Sequence, residues 1–176
     1  MVYAKWYQGR ATFFSKDVFP LILAATGAHE GHLSPSARKV LRVLEEDSPL
    51  STKELKRRAG LVGKANERDY DRALKELWRG FFIVGYGEVD DGAFPSLSIG
   101  ATSLLFSDLW QEAQSHDPAQ AEKALAESVG ADSLFYKFYL KGKAAPAPKL
   151  KAGKGPKGAI RYEDLVAGSV RRPRRP

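Results

Sequence analysis

Four basic residues recur at steps of four, three and four in the middle of this 176-residue chain. Such steps place side chains on one face of an α-helix, because residues three or four apart are neighbours on a helix surface. Arginine can hydrogen-bond a guanine base in bidentate fashion, and both arginine and lysine neutralise phosphate. The pattern therefore indicates a surface suited to DNA, and its members, called the basic stripe below, are Arg68, Arg72, Lys75 and Arg79.

Further polar residues precede the basic stripe. Ser51, Thr52 and Lys53 lie where a short helix is expected to begin, and the N-terminus of a helix attracts phosphate. Lys64 and Asn66 lead into the helix that carries the stripe, and asparagine can pair with adenine as arginine does with guanine. We therefore interpret all five as candidate DNA contacts.

Four acidic residues share the helix with the stripe, namely Glu67, Asp69, Asp71 and Glu76. An acidic group that faces phosphate repels it over about 8–10 Å. Acidic and basic residues at these spacings are also typical of an ordinary solvated helix. Two interpretations stay open at this point: a DNA-binding face, and a solvated or protein-facing surface.

Three helices are predicted in this part of the chain, and the third carries the stripe. Ser34, with proline at the next position, suits the N-cap of the first helix. Ser51 followed by Glu54 has the pattern of a capping box at the start of the second. The third is predicted over about residues 67–79, where apolar residues recur at helical spacing.

A β-hairpin is predicted after the helices, with strands at residues 81–89 and 93–101 joined by a turn at Asp90, Asp91 and Gly92. Three helices followed by a hairpin predict a winged helix-turn-helix, in which the third helix enters the major groove of DNA. We expect an α+β, mostly helical fold whose parts are an N-terminal arm packed on the core (1–33), a winged-helix domain (34–100), a helical extension (101–141) and a tail (142–176).

The predicted hairpin carries the wrong charge for a wing that contacts phosphate. Glu88, Asp90 and Asp91 are acidic, and no lysine or arginine occurs between Gly80 and Lys123. Over residues 81–140 there are 2 basic and 9 acidic residues. We therefore expect the wing to face protein or solvent, and this acidic region is a candidate surface for a protein partner.

The tail is the most basic part of the chain. Residues 141–176 hold 11 basic and 2 acidic groups, whereas the first 140 residues have a net charge of −2. Its lysine, arginine, proline and glycine content predicts disorder and non-specific binding of nucleic acid, or a role in solubility or ribosome association by charge alone. Its terminal arginines are Arg171, Arg172, Arg174 and Arg175.

One island of apolar residues interrupts the tail at residues 159–170. Its apolar side chains are close enough together to form a short docking motif or a transient helix. An accidental apolar cluster in a linker is the alternative interpretation. The apolar members are Ile160, Tyr162, Leu165 and Val166.

Several kinds of chemistry have no support in the sequence. The chain has no cysteine, which excludes disulfides and thiolate metal sites. The segment "HEGH" at residues 29–32 lacks the spacing of the helical zinc motif, and no catalytic triad or phosphate loop is present. Signal-peptide and membrane-spanning patterns are also absent, so we expect a cytoplasmic, non-enzymatic protein without a metal or other cofactor and without membrane contact.

The segment "LSPSARKVLRVLEEDSPLSTKELKRRAGL", followed by "DYDRALKELWRGFFIVGYGE", resembles the winged-helix proteins related to the AlkZ-like DNA glycosylases, a bacterial family implicated in removing alkylated or crosslinked bases. The resemblance covers about residues 10–112 and implies a winged-helix fold and a DNA context. Complete glycosylases of this kind use a Gln-x-Gln or Gln-x-Asp catalytic motif. The glutamines of this chain do not form that motif; they are Gln8, Gln111, Gln114 and Gln120.

Three functions follow, in this order. The first is a non-catalytic winged-helix protein that binds duplex DNA through the third helix and the tail, in transcription regulation or DNA repair. The second is a protein-interaction winged helix with an acidic docking surface at residues 81–140. The third is a reduced, glycosylase-like repair protein. The oligomeric state stays open.

Overall fold

The computed structural model of the protein describes residues 1–27, 32–90 and 95–144. The described strands are β1 (Val2–Lys5), β2 (Ala11–Phe14), β3 (Leu50–Ser51), β4 (Ile83–Val89) and β5 (Ser96–Ala101). The described helices are α1 (Val18–Thr26), α2 (Pro35–Glu46), α3 (Thr52–Arg58), α4 (Lys64–Arg79), α5 (Thr102–Leu105), α6 (Ser107–Ser115), α7 (Pro118–Val129) and α8 (Leu134–Ala144). The fold is therefore mixed α and β and mostly helical.

The strands form one antiparallel sheet in the order β2-β1-β4-β5-β3. The predicted hairpin is present as β4 and β5, which pair from Ile83 opposite Ala101 outward. The N-terminal residues, expected as an arm on the core, form a hairpin that joins the sheet where Tyr3 lies opposite Gly85. The segment thus contributes two strands and helix α1 to the fold.

The predicted helix starts are explained by side-chain caps. The Ser34 hydroxyl accepts a hydrogen bond from the amide of Ala37 in α2 at 3.2 Å. The Ser51 hydroxyl accepts one from the amide of Glu54 in α3, also at 3.2 Å. Helix α4 begins at Lys64, three residues before the predicted start, and its N-cap is a glycine.

The core is continuous across all parts of the described chain. Phe81, between α4 and β4, is fully buried and adopts a left-handed φ of 56°. Its ring stacks on Trp6 at 5.3 Å and meets Phe14 and Phe19 edge-on. The N-terminal hairpin and α1 are therefore fixed to the end of α4 by aromatic packing.

Helix α8 packs on the same aromatic cluster, where the Phe138 ring meets the Trp6 ring edge-on at 5.1 Å. The buried Tyr139 hydroxyl donates a hydrogen bond to the Ala25 carbonyl of α1 at 3.0 Å. None of the described helices combines the length and the apolar character needed to cross a membrane. The turn residues Asp91 and Gly92, most of the "HEGH" segment and everything from residue 145 onward lie outside the described residues.

Candidate nucleic-acid interface

The basic stripe lies on the face of α4 that points away from the core. The buried residues of the helix are Tyr70, Ala73, Leu77 and Trp78. All four stripe residues are exposed, and at 100° per residue they cluster opposite the buried face. Arg68 and Lys75 form no ion pair with any described residue. The helix therefore presents a row of cations directly to solvent.

Glu76, an acidic residue of α4, has a structural contact. Its two carboxylate oxygens accept hydrogen bonds from Ser34, one from the backbone amide at 2.9 Å and one from the hydroxyl at 2.7 Å. Ser34 is the N-cap of α2, where the helix dipole also favours a negative charge. Glu76 thus joins two helices and does not oppose the stripe.

The other three acidic residues of α4 differ in their surroundings. Glu67 forms an ion pair with Lys56 of α3 at 3.1 Å and so links two helices. Asp69 lies 3.6 Å from the Arg72 guanidinium, in an exposed pair within α4. Asp71 lines a cleft described below. Among the described acidic residues, only Asp69 lies within ion-pair distance of the stripe.

The basic residues of α3 are largely neutralised by acidic neighbours. Glu54 accepts hydrogen bonds from both Arg57 and Arg58, and Arg58 also contacts Asp47. These donated hydrogen bonds lower the pKa of Glu54 to about 2. The capping-box pattern predicts that the Glu54 carboxylate binds the start of the helix, but in the structure it binds two arginines. Helix α4, in contrast, keeps most of its outward charge uncompensated.

The predicted contacts at the start of α3 have little freedom to meet a ligand. Ser51 is buried, and its hydroxyl is used by the cap. Thr52 is half-buried, and its carbonyl accepts a hydrogen bond from the Tyr70 hydroxyl at 2.8 Å. Lys53 is exposed. Of the three, the lysine side chain is the one placed to reach a phosphate.

The two predicted DNA contacts that precede the stripe, Lys64 and Asn66, have different surroundings in the structure. Lys64 is exposed at the first turn of α4, on the same side as the stripe. Asn66 is half-buried, and its side-chain amide donates a hydrogen bond to the Val62 carbonyl at 3.0 Å. Asn66 therefore stabilises the turn before α4. The terminal arginines, Arg171, Arg172, Arg174 and Arg175, lie outside the described residues.

A cleft with a volume of about 690 Å³ lies beside the second half of the stripe, between α4, the β1 end and α8. Its apolar lining comes from aromatic and aliphatic side chains of all three elements, and its rim is mostly basic. Sequence reasoning missed it because the contributing residues are far apart along the chain. The lining includes Lys5, Trp6, Asp71, Leu74, Lys75, Trp78, Arg79, Phe138 and Lys141.

The chain leaves the described fold next to this cleft. The Arg79 guanidinium donates a hydrogen bond to the Gly142 carbonyl in the last turn of α8 at 2.5 Å. Helix α8 ends at Ala144, three residues beyond the boundary of 141 expected for the helical extension, so the rest of the predicted tail begins at residue 145. The last residue of the stripe and the start of the basic tail are therefore neighbours.

Comparisons with known proteins agree with the resemblance noted in the sequence. No match to the chain is found among curated proteins or among solved structures. Residues 1–131 match the family described as AlkZ related. The matched region runs from β1 to the end of α7 and includes α4 with its stripe. Since the match spans most of its length, the chain belongs to the AlkZ-related family.

Proposed function

We propose that the protein is a non-catalytic DNA-binding protein of the winged helix-turn-helix type, with α4 lying in the major groove of duplex DNA. In this proposal α2, α3 and α4 are its three helices, and β4 with β5 is its wing. The observation that carries the proposal is the basic stripe, which is exposed, opposite the core and almost free of acidic partners. Family membership favours a role in DNA repair, with transcription regulation as the other role.

The proposed binding mode divides the work between α4 and the tail. Arg68, Arg72 and Lys75 would contact base edges and phosphates along the groove. The tail starts beside Arg79 and would add salt-sensitive affinity through counterion release. Because α8 extends to Ala144 and Gly142 contacts Arg79, a deletion that removes the tail alone should begin at residue 145.

A second function is favoured by the surface of the wing. Tyr86 of β4 is 57% exposed and Val89 is 37% exposed, with Glu88 and Asp90 beside them. Exposed apolar side chains next to acidic ones suit a protein partner better than phosphate. In this alternative, residues 81–140 bind a protein while the tail alone contacts nucleic acid. The reduced glycosylase-like activity, which family membership raises, is tested by incubation with alkylated duplex DNA and assay for abasic sites.

A matched pair of double variants tests the DNA-binding proposal. Arg68→Ala/Arg72→Ala removes two cations from the stripe, and Lys123→Ala/Lys137→Ala removes two exposed cations from α7 and α8. Both variants lose the same net charge, so a non-specific effect would weaken them equally. We expect only the stripe variant to lose affinity for a duplex, measured by fluorescence anisotropy. Equal affinities in the two variants would refute the placement of DNA on α4.

The same titration followed by NMR distinguishes the two candidate functions. In the DNA-binding proposal, addition of duplex perturbs amide signals of α4 and leaves those of α6 and α7 in place. In the protein-partner alternative, DNA perturbs no amide signal of Arg68 or Arg72, since only the tail responds and neither residue lines the cleft beside the tail.

A further inference from the structure

The cleft beside α4 combines an apolar floor with a basic rim. Trp6 and Trp78 are almost fully buried in its floor, with Phe138 half-buried next to them. Lys75 and Lys141 are exposed at its rim. A ligand that is complementary to such a cleft has both apolar groups and negatively charged groups.

One short segment of the same chain has this combination. Within residues 145–176, Glu163 and Asp164 are the only acidic residues and Tyr162 is the only aromatic one. They lie between the aliphatic residues Ile160 and Leu165. We propose that residues 160–166 dock in the cleft, with their apolar side chains on its floor and their two carboxylates toward its basic rim.

The charges match in both directions. Glu163 and Asp164 would meet the ammonium and guanidinium groups of the rim, while Arg161 would face Asp71, the one acidic residue in the lining. The remaining basic residues of the tail have no such partner in the cleft. Charge therefore selects this segment over the rest of the tail.

The connection is long enough for the segment to return. Gly142 lines the cleft and α8 ends at Ala144, so the intervening residues 145–159 could span about 50 Å at ~3.3 Å per residue when extended. The entropic cost of closing a loop rises only slowly with its length. A tether of this kind raises the effective concentration to roughly the millimolar range, so a weakly binding motif suffices.

Docking would cover half of the basic stripe. Lys75 and Arg79 belong both to the stripe and to the cleft, so the docked carboxylates take the place of phosphate there. DNA and the segment would then compete for the same cations. This competition rests on the proposed DNA-binding function, whereas the docking itself does not.

The composition of the chain permits a direct test with the full-length protein. Because there is no cysteine, Ser169→Cys provides a single thiol for a nitroxide spin label. The three tryptophans give three indole NH signals in an ¹⁵N NMR spectrum. Trp6 and Trp78 line the cleft, while Trp110 packs on Phe82 and does not line it. We expect the label to broaden the first two signals more than the third.

The control is Tyr162→Ala/Leu165→Ala in the same labelled chain, which removes apolar contacts and keeps every charge. The selective broadening should disappear in that variant and be absent when labelled ¹⁴N protein is mixed with unlabelled ¹⁵N protein. Docking is refuted if the three signals broaden equally or not at all, if the double variant behaves like the parent, or if the mixture shows the effect. A separate titration of the chain without the spin label tests a single-stranded oligonucleotide as the other occupant, and docking is also refuted if the two cleft signals respond to it while the label causes no selective broadening. Because the labelling measurement contains no DNA, its outcome is independent of the proposed function.

Discussion

Replacing Glu76 separates a structural role of this acidic residue from an electrostatic one. Its carboxylate accepts two hydrogen bonds from Ser34, at 2.9 and 2.7 Å, and thereby joins α4 to the start of α2. A hydrogen bond to a charged group contributes about 1.5–3 kcal/mol. Since both residues are half-buried and water can replace part of the interaction, we expect about 2–3 kcal/mol for the two bonds together. Glu76→Ala should lower the free energy of unfolding by that amount.

The loss should appear in thermal unfolding followed by circular dichroism. At about 2–4 °C per kcal/mol, the melting temperature of Glu76→Ala should fall by roughly 4–12 °C. Glu76→Gln keeps an oxygen acceptor and should lose about half as much. The control is Asp69→Ala in the same helix, which removes only an exposed pair with Arg72 and should change stability little. A melting temperature of Glu76→Ala equal to that of the Asp69→Ala control would refute the structural role.

The two acidic residues should also differ in their effect on DNA. Asp69→Ala releases Arg72 and should raise affinity for duplex, whereas Glu76→Gln should not, because Glu76 already faces Ser34. Fluorescence anisotropy at fixed salt concentration measures both. Tighter binding by Glu76→Gln than by Asp69→Ala would contradict the assignment.

Three further predictions concern the fold. Gly85→Ala places a methyl group about 2.3 Å from the Tyr3 ring. It should therefore lower the free energy of unfolding, measured by chemical denaturation, by about 1–3 kcal/mol. An unchanged denaturation midpoint would contradict the close packing of β1 on β4. Tyr139→Phe removes the hydrogen bond to the Ala25 carbonyl and should cost about 1–2 kcal/mol; a neutral effect would mean that α8 docks without it. The pKa of the Glu54 carboxyl should be about 2 in an NMR titration, below its ordinary value of about 4.5. Its ion pairs therefore contribute their full share of the stability above pH 4.5 and lose it as the pH falls toward 2. A midpoint at the ordinary value would show that the two arginines do not hold it.

Features set by local interactions were predictable from the sequence. Ser34 and Ser51 cap helices because a hydroxyl can satisfy a free backbone amide within the same turn. The exposed face of α4 followed from the spacing of its apolar and basic residues, since both recur with the helical period. The AlkZ-related family was likewise indicated by residues 33–88 and agrees with the match over residues 1–131.

Features that depend on contacts between distant residues were not predictable in this way. The partner of Glu76 lies 42 residues away, and nothing in the local pattern of α4 distinguishes it from the exposed Asp69. The pairing of Tyr3 with Gly85 turned an expected arm into two strands. The cleft joins Trp6, Trp78 and Phe138, which share a surface only after the sheet and α8 have assembled. The Ser51 half of the expected capping box is present, whereas the Glu54 carboxylate binds two arginines instead of returning to the helix start.

The salt dependence of duplex binding tests the central claim most directly. Each phosphate contact contributes about 0.9 to the slope of log affinity against log salt concentration. If Arg68 and Arg72 contact the backbone, Arg68→Ala/Arg72→Ala should reduce that slope by about 2, whereas Lys123→Ala/Lys137→Ala should leave it unchanged. A chain ending at residue 144 should bind more weakly and still respond to the stripe variant. If that shortened chain shows no binding and the stripe variant of the full chain keeps the parent slope, DNA does not lie on α4.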